Sequence, residues 1–187
     1  MTTDSSKKVS NSKDKTLGDL LRSRGISRRS FLKFCATTAS MMALSPAMIP
    51  KIAQALEQAK KPSVIWLSFQ ECTGCTESLT RAHSATIESL IFDSISLDYH
   101  HTLQAAAGHG AEEAREAAMK ENFGKYLLVV DGSIPMGNPG FSTIAGISNY
   151  DMLMEAAEGA AAIIAVGTCA TYGGIPHANP NPTGAVS

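Results

Sequence analysis

After Lys61 the sequence contains no cluster of basic residues. Phosphate binding needs grouped Lys and Arg, so nucleic acid is excluded as a partner of that part, and an anionic lipid surface with it. No apolar run reaches the length of an ordinary membrane span: the longest candidate, Phe34 to Ile49, has 16 residues. No GxxxxGK[ST] occurs, so the Gly137, Gly140 and Gly146 segment reads as a flexible loop and not as a phosphate cradle. The composition is neither collagenous nor that of a coiled coil or a wholly disordered chain, at 44% hydrophobic residues over 187 positions. Fifteen Gly and eight Pro suit a loop-bearing α/β protein better than a helical bundle.

What is present is unevenly distributed. Residues 1–55 hold ten Lys or Arg against three Asp, a net of +7, whereas residues 56–187 hold six against fourteen acidic residues, a net of −8. The first part opens with a Lys- and Ser-rich stretch, residues 1–15, that cannot bury a core and is expected to be disordered. Ser27-Arg28-Arg29-Ser30-Phe31-Leu32-Lys33 follows, a twin-arginine pattern leading into the apolar stretch. Ala36, Thr37, Thr38, Ser40 and Ser45 dilute that stretch, Lys51 closes it, and Ala53-Gln54-Ala55 offers a small-x-small cleavage site. Residues 1–55 are therefore read as a flexible signal segment for the twin-arginine translocase, with Cys35 inert inside it. That route carries folded proteins, whose cofactor is acquired before export, so a cofactor is to be sought downstream.

Residues 56–187 form the second domain. Apolar runs at Ser63 to Phe69, Ser94 to His100, Lys125 to Asp131 and Ala161 to Gly167 alternate with helical patterns at Thr76 to Ile91, Ala111 to Asn122 and Ser148 to Glu158. The last two runs are continuously apolar, as expected of parallel strands covered by helices on both faces. Glu112, Glu113 and Glu116 early in one helix, with Lys120 near its end, match the helix dipole. Trp66 is assigned to the core of the first strand. The pattern predicts an α/β fold, a flavodoxin-like doubly wound parallel sheet of order 2-1-3-4. No fifth strand appears, and the fold is expected to be incomplete at the C-terminus, cut within a loop at Pro182 to Ser187.

In such sheets ligands lie beyond the carboxyl ends of the strands. Three of the four cysteines fall there: Cys72 and Cys75 after the first strand, Cys169 after the fourth. With the third strand between them the two loops stand about 10 Å apart, at about 4.8 Å per spacing. Asp131-Gly132-Ser133 ends that third strand, and the glycine is expected to leave space above the sheet edge. A CxxC pair alone fits a redox dithiol, half of a zinc site that His177 joins, or a disulfide. An iron–sulfur cluster is favoured by converging thiolates and folded export, but needs four ligands where three are available.

Gln70 to Ser78 (QECTGCTES), Val129 to Pro135 (VVDGSIP), Ala157 to Ile164, Gly167-Thr-Cys-Ala170 and Pro180 to Gly184, in that order behind such a signal, strongly resemble the small subunit of nickel–iron uptake hydrogenases. The resemblance spans Ser27 to Ser187 and implies that Cys72, Cys75 and Cys169 are iron ligands of a proximal [4Fe-4S] cluster. The fourth ligand would lie in a Gly-Cys-Pro segment beyond residue 187, and further [3Fe-4S] and [4Fe-4S] clusters in a C-terminal region absent here. Hydrogen would be split in a separate large subunit, so no catalytic residue is expected in this chain, which would pass electrons toward an acceptor such as a cytochrome. The location implied is the periplasm or the outer face of the cytoplasmic membrane.

Glu71 and Thr73 match positions facing the large subunit and suit a proton relay, or equally a helix cap or loop bond. Glu77 reads as structural. Gly74 and Gly174 stand where oxygen-tolerant members carry extra cysteines, so the resemblance is to the standard type. His83, His100, His101 and His109 read as satisfied or solvated, and His177 as a residue that lines the crevice without being a ligand. Two competing readings remain: a free-standing periplasmic dithiol or metal-binding protein, and the related quinone-reductase subunit, against which the signal and the separated CxxC count.

Overall fold

In the computed structural model, residues 16–187 are described except Arg24 and Met42, and they divide into two units. The expected disorder of residues 1–15 lies outside the described residues.

The first unit holds the described residues up to Lys61 together with Phe92–Ser94. Helices α1 (Leu17–Ser23), α2 (Arg28–Met41) and α3 (Ile49–Gln58) bury Phe31, Cys35 and Ala53 against Leu21, Ile49, Ile52 and Leu56. Phe31 and Cys35 are four apart, on one face of α2, which is why this helix forms against a neighbour. The twin-arginine pattern occupies the first turns of α2, and Ala53-Gln54-Ala55 lies within α3. Ser45 caps a short 3-10 turn, Pro46–Met48, that starts α3. No described helix is long and apolar enough to cross a membrane.

The second unit starts with β1 (Ser63–Ser68), α4 (Gly74–Thr80), a single turn α5 (Ile87–Ser89) running into a π-turn at Leu90–Ser94, of which only Leu90 and Ile91 belong to this unit, and β2 (Ser96–His100). It continues with α6 (His109–Glu121), β3 (Tyr126–Asp131), β4 (Ile134–Pro135), β5 (Thr143–Ile144), β6 (Ile147–Ser148) and α7 (Asn149–Glu158). The last elements are β7 (Ala160–Val166), α8 (Gly167–Tyr172), α9 (Gly174–His177) and β8 (Ala185–Val186). The main sheet is parallel in the order β2-β1-β3-β7, the order expected.

Strand alternation sorts the core into two layers. Ile65, Leu67, Tyr99, Leu128 and Val130 face α6 and α7, joined by Met119, Met152 and Ala156. Val64, Trp66 and Val129 face the other way, with Leu79 of α4 upon them, so Trp66 is a core residue as predicted. Arg115 of α6 has no exposed surface; it donates to Glu112 at 2.9 Å and to Glu155 of α7 at 3.0 Å, and Tyr99 donates to Glu112 at 2.6 Å.

Four expectations are corrected. The helix foreseen over Thr76 to Ile91 breaks after Thr80, because the backbone amide of Arg81 closes on the carbonyls of Glu77, Ser78 and Leu79 and Thr86 caps a fresh turn. β7 is not covered on both faces: residues 161–165 are all exposed, Ile163 at 54% and Ile164 at 45%. The glycine loop after β3 is ordered by three pairings. Residues 134–135 pair with 185–186, β5 pairs with β6, and the Gly137 amide donates to Thr183 at 2.9 Å. Gly132 does not leave open space, as the site shows.

Candidate functional site

Register places the site. Ser68 pairs with Asp131 and Asp131 with Val166, so three strands end level and their loops leave one edge together. The β1 loop runs Phe69 to Thr73 into α4, and the β7 loop enters α8 at Gly167.

Beyond Ser68 the chain stays on the end of β3. Gln70 and Ser133 exchange backbone hydrogen bonds at 3.1 and 2.9 Å, and a Cβ on Gly132 (φ +96) would sit 2.8 Å from the Gln70 carbonyl oxygen. The glycine thus admits the β1 loop itself, and the space foreseen there is filled by backbone. Thr73 then adopts a left-handed conformation (φ 63), costly for a β-branched residue, and turns Gly74 and Cys75 into the first turn of α4. Cys169 lies in α8; its carbonyl accepts from the Gly173 amide at 2.9 Å, and buried Ser133 donates to the Gly173 carbonyl at 2.7 Å.

Glycines line the sulfurs. A Cβ at Gly167 (φ +80) would lie 2.3 Å from Cys75 Sγ, one at Gly174 (φ +55) 2.6 Å from Cys169 Sγ, and one at Gly74 3.1 Å from Cys72 Sγ. Gly74 and Gly174 thus stand directly beside cysteine sulfurs. All four cysteines are free thiols, Cys72 exposed, Cys75 and Cys169 half-buried, and Cys35 buried in the first unit. Burial pushes the Cys75 thiol up to about 11, helped by Asp131 and by Cys72 and Cys169, whose charges both reach it.

Among the described residues no three His, Cys, Asp or Glu side chains converge on one ion position. A mononuclear zinc site needs such convergence. A cubane cluster gives each thiolate its own iron, and its ligands stand apart around a volume. Three thiols at one sheet edge, the glycines beside each sulfur and the soft donor set fit the cluster.

The sequence reading passed over Asp131 as a side chain. Asp131 is fully buried, and neither carboxylate oxygen makes a hydrogen bond of good geometry. Burial raises its pKa, partly offset by the facing Cys75 thiol and Gly132 amide. The signal available was a charged residue closing an otherwise apolar strand. Asp131 also acts on Glu71, whose carboxyl is raised first by burial and then by that charge, and eased by Thr73. Thr73 donates to Glu71 Oε1 at 3.3 Å, while Oε2 is buried without a partner; Thr73 does not cap α4. Glu77 pairs with Arg81 at 2.5 Å on the surface and is structural. His177 donates to the Ala185 carbonyl at 2.5 Å, which commits it to β8. His83 and His109 are exposed, whereas His100 is buried.

Residues 72–187 match the family model described as NADH ubiquinone oxidoreductase, 20 Kd subunit. The chain is 49% identical over 169 residues to the Hydrogenase-2 small chain of Escherichia coli (strain K12), covering 90% of this chain and 45% of that one. It is 47% identical over 160 residues to the periplasmic [NiFe] hydrogenase small subunit of Solidesulfovibrio fructosivorans, covering 85% and 51%. A solved structure of recombinant [NiFeSe] hydrogenase from Desulfovibrio vulgaris Hildenborough superimposes with a TM-score of 0.65 at 38% identity, over 69% of this chain and 48% of that one. The chain spans about half the length of the relatives it matches. Strand order and these likenesses agree: the chain belongs to the NADH ubiquinone oxidoreductase 20 Kd subunit family, among its nickel–iron hydrogenase small subunits.

Proposed function

We propose that this chain is the electron-carrying part of a nickel–iron hydrogenase small subunit, in which Cys72, Cys75 and Cys169 hold a proximal [4Fe-4S] cluster. The observation that carries this reading is that level strand ends bring Cys72, Cys75 and Cys169 to one sheet edge, with a glycine beside each sulfur. When bound, such a cluster takes up and passes on single electrons. The reaction served is H2 to two protons and two electrons, split at a nickel–iron centre in a separate large-subunit partner.

The chain's own residues do the rest. Binding through thiolate requires each sulfur to give up its proton, and burial, helped by Asp131, opposes that step at Cys75. Gly167 and Gly174 keep carbon away from the sulfurs, and the Ser133 to Gly173 bond fixes the Cys169 turn to the end of β3. Glu71, raised by burial and bonded to Thr73, is a carboxyl that holds and hands on a proton at Oε1 or Oε2. Residues 1–55 act as a twin-arginine signal, residues 56–187 as the cluster domain, and the assembled protein works in the periplasm or on the outer face of the membrane, donating to an acceptor such as a cytochrome.

Iron and acid-labile sulfide in the protein purified anaerobically from its own cells test the reading. Both should be present, and Cys72→Ser, Cys75→Ser and Cys169→Ser should each abolish the proximal-cluster EPR signal. A protein free of both elements would instead be the dithiol alternative.

A further inference from the structure

One buried histidine has no part in the reading above. His100 closes β2, is 1% exposed, and pairs in register with Trp66 of β1, their rings 5.0 Å apart. Register partners share a sheet face, so His100 stands on the face that α4 covers. Its Nδ1 accepts from the backbone amides of Thr102 at 3.1 Å and Leu103 at 3.3 Å. A nitrogen that accepts carries no proton, so the neutral ring has its hydrogen on Nε2. Nε2 faces the hydroxyl of Thr76 at 3.5 Å, and Thr76 is itself buried.

Thr76 follows Cys75 in the first turn of α4. That turn begins from a left-handed Thr73 that supplies no side-chain cap, and Leu79 holds the helix to the sheet only one turn later. We propose that His100 is a positioning residue for the cysteine loop: two backbone amides fix its tautomer, its Nε2–H fixes Thr76, and Thr76 fixes the direction in which Cys75 presents its sulfur. The proposal rests on Cys75 being a cluster ligand. Residues that orient a ligand from outside the first shell change metal affinity about 10- to 100-fold when removed.

The test uses the full-length protein with its partner subunit and three variants. His100→Asn keeps an acceptor where Nδ1 lies and loses the reach to Thr76; Thr76→Val removes the hydroxyl and leaves His100 intact; the third combines both. Iron release to a chelator and the EPR line shape of the reduced proximal cluster are read in each. Both single variants should release iron about 10-fold faster with the same altered line shape, and the double variant should add nothing, since all three break one link. Wild-type release and spectrum in Thr76→Val would overturn the proposal, leaving His100 as a closure of the strand end. Independent, additive effects would overturn it too. Cys75→Ser distinguishes the underlying reading: if that variant keeps its cluster, the ligand assignment falls and takes the proposal with it.

Discussion

At the scale of single residues the site is governed by charges held away from water. Glu71 carries a raised pKa because burial and Asp131 both oppose its ionisation, and it sits at the exposed end of the cysteine loop. Glu71→Gln keeps the shape and removes the exchangeable acid. Proton exchange in the assembled hydrogenase should slow by about 10²-fold or more with the cluster EPR signal unchanged, and exchange at the wild-type rate would return Glu71 to loop structure. His100 offers a second titration. Burial, then the neighbouring His101, lowers its pKa from 6.5 to about 4, so between those values the unfolded chain binds more protons than the folded one. The His100 contribution to stability therefore rises with pH from about 4 to 6.5, by about 2–3 kcal/mol in full, against the opposite slope of the raised carboxyls Asp131 and Glu71. The slope of the urea midpoint against pH across that range should be more positive in the wild type than in His100→Asn, and equal slopes would dismiss the His100 contribution. Both histidine and Asp131 were visible as letters, but neither burial nor partners can be read from a letter.

Among the elements, two stand out for what their packing demands. Helices α6 and α7 are joined beneath the sheet by Arg115, which sits wholly buried between Glu112 and Glu155. Arg115→Met keeps the volume and strands Glu112 beside Tyr99, a loss of about 3–5 kcal/mol. Thermal denaturation should show a fall of roughly 10 °C, and an unaltered Tm would mean that the buried charges are compensated elsewhere. β7 presents the opposite situation, an edge strand with Ile163 and Ile164 about half exposed. Such an edge templates association. Ile164→Lys in the 187-residue polypeptide should reduce light scattering at matched concentration while changing stability by no more than about 0.5 kcal/mol; unchanged scattering would place the sticky surface elsewhere. The strands themselves were legible because apolar runs of six or seven residues carry their own signal. The break after Thr80 was not, since it depends on which amides close on which carbonyls.

On the scale of the whole molecule, the charge division and the unit division fall close together: the basic part ends at residue 55 and the first unit at Lys61. Arg28 and Arg29 lie on α2, with Arg28 Nε 4.0 Å from Glu57 on the surface, a pair worth little to stability. Replacing both with Lys preserves charge and alters the pattern a translocase reads. Precursor should then accumulate in the cytoplasm, as seen by fractionation, and normal export would dismiss the signal reading.

The sequence by itself determined the order of the strands, the segregation of a basic N-terminal part from an acidic body, and the delivery of three cysteines to one sheet edge. These follow from periodicity and spacing, which are local. Only the tertiary structure decided that Gly132 admits the Gln70 backbone, that glycines at 167 and 174 sit against sulfurs contributed by other turns, and that Asp131 and His100 stand buried behind the cysteine loop. Each of those depends on side chains brought together from distant positions, through packing and desolvation that no stretch of sequence specifies alone.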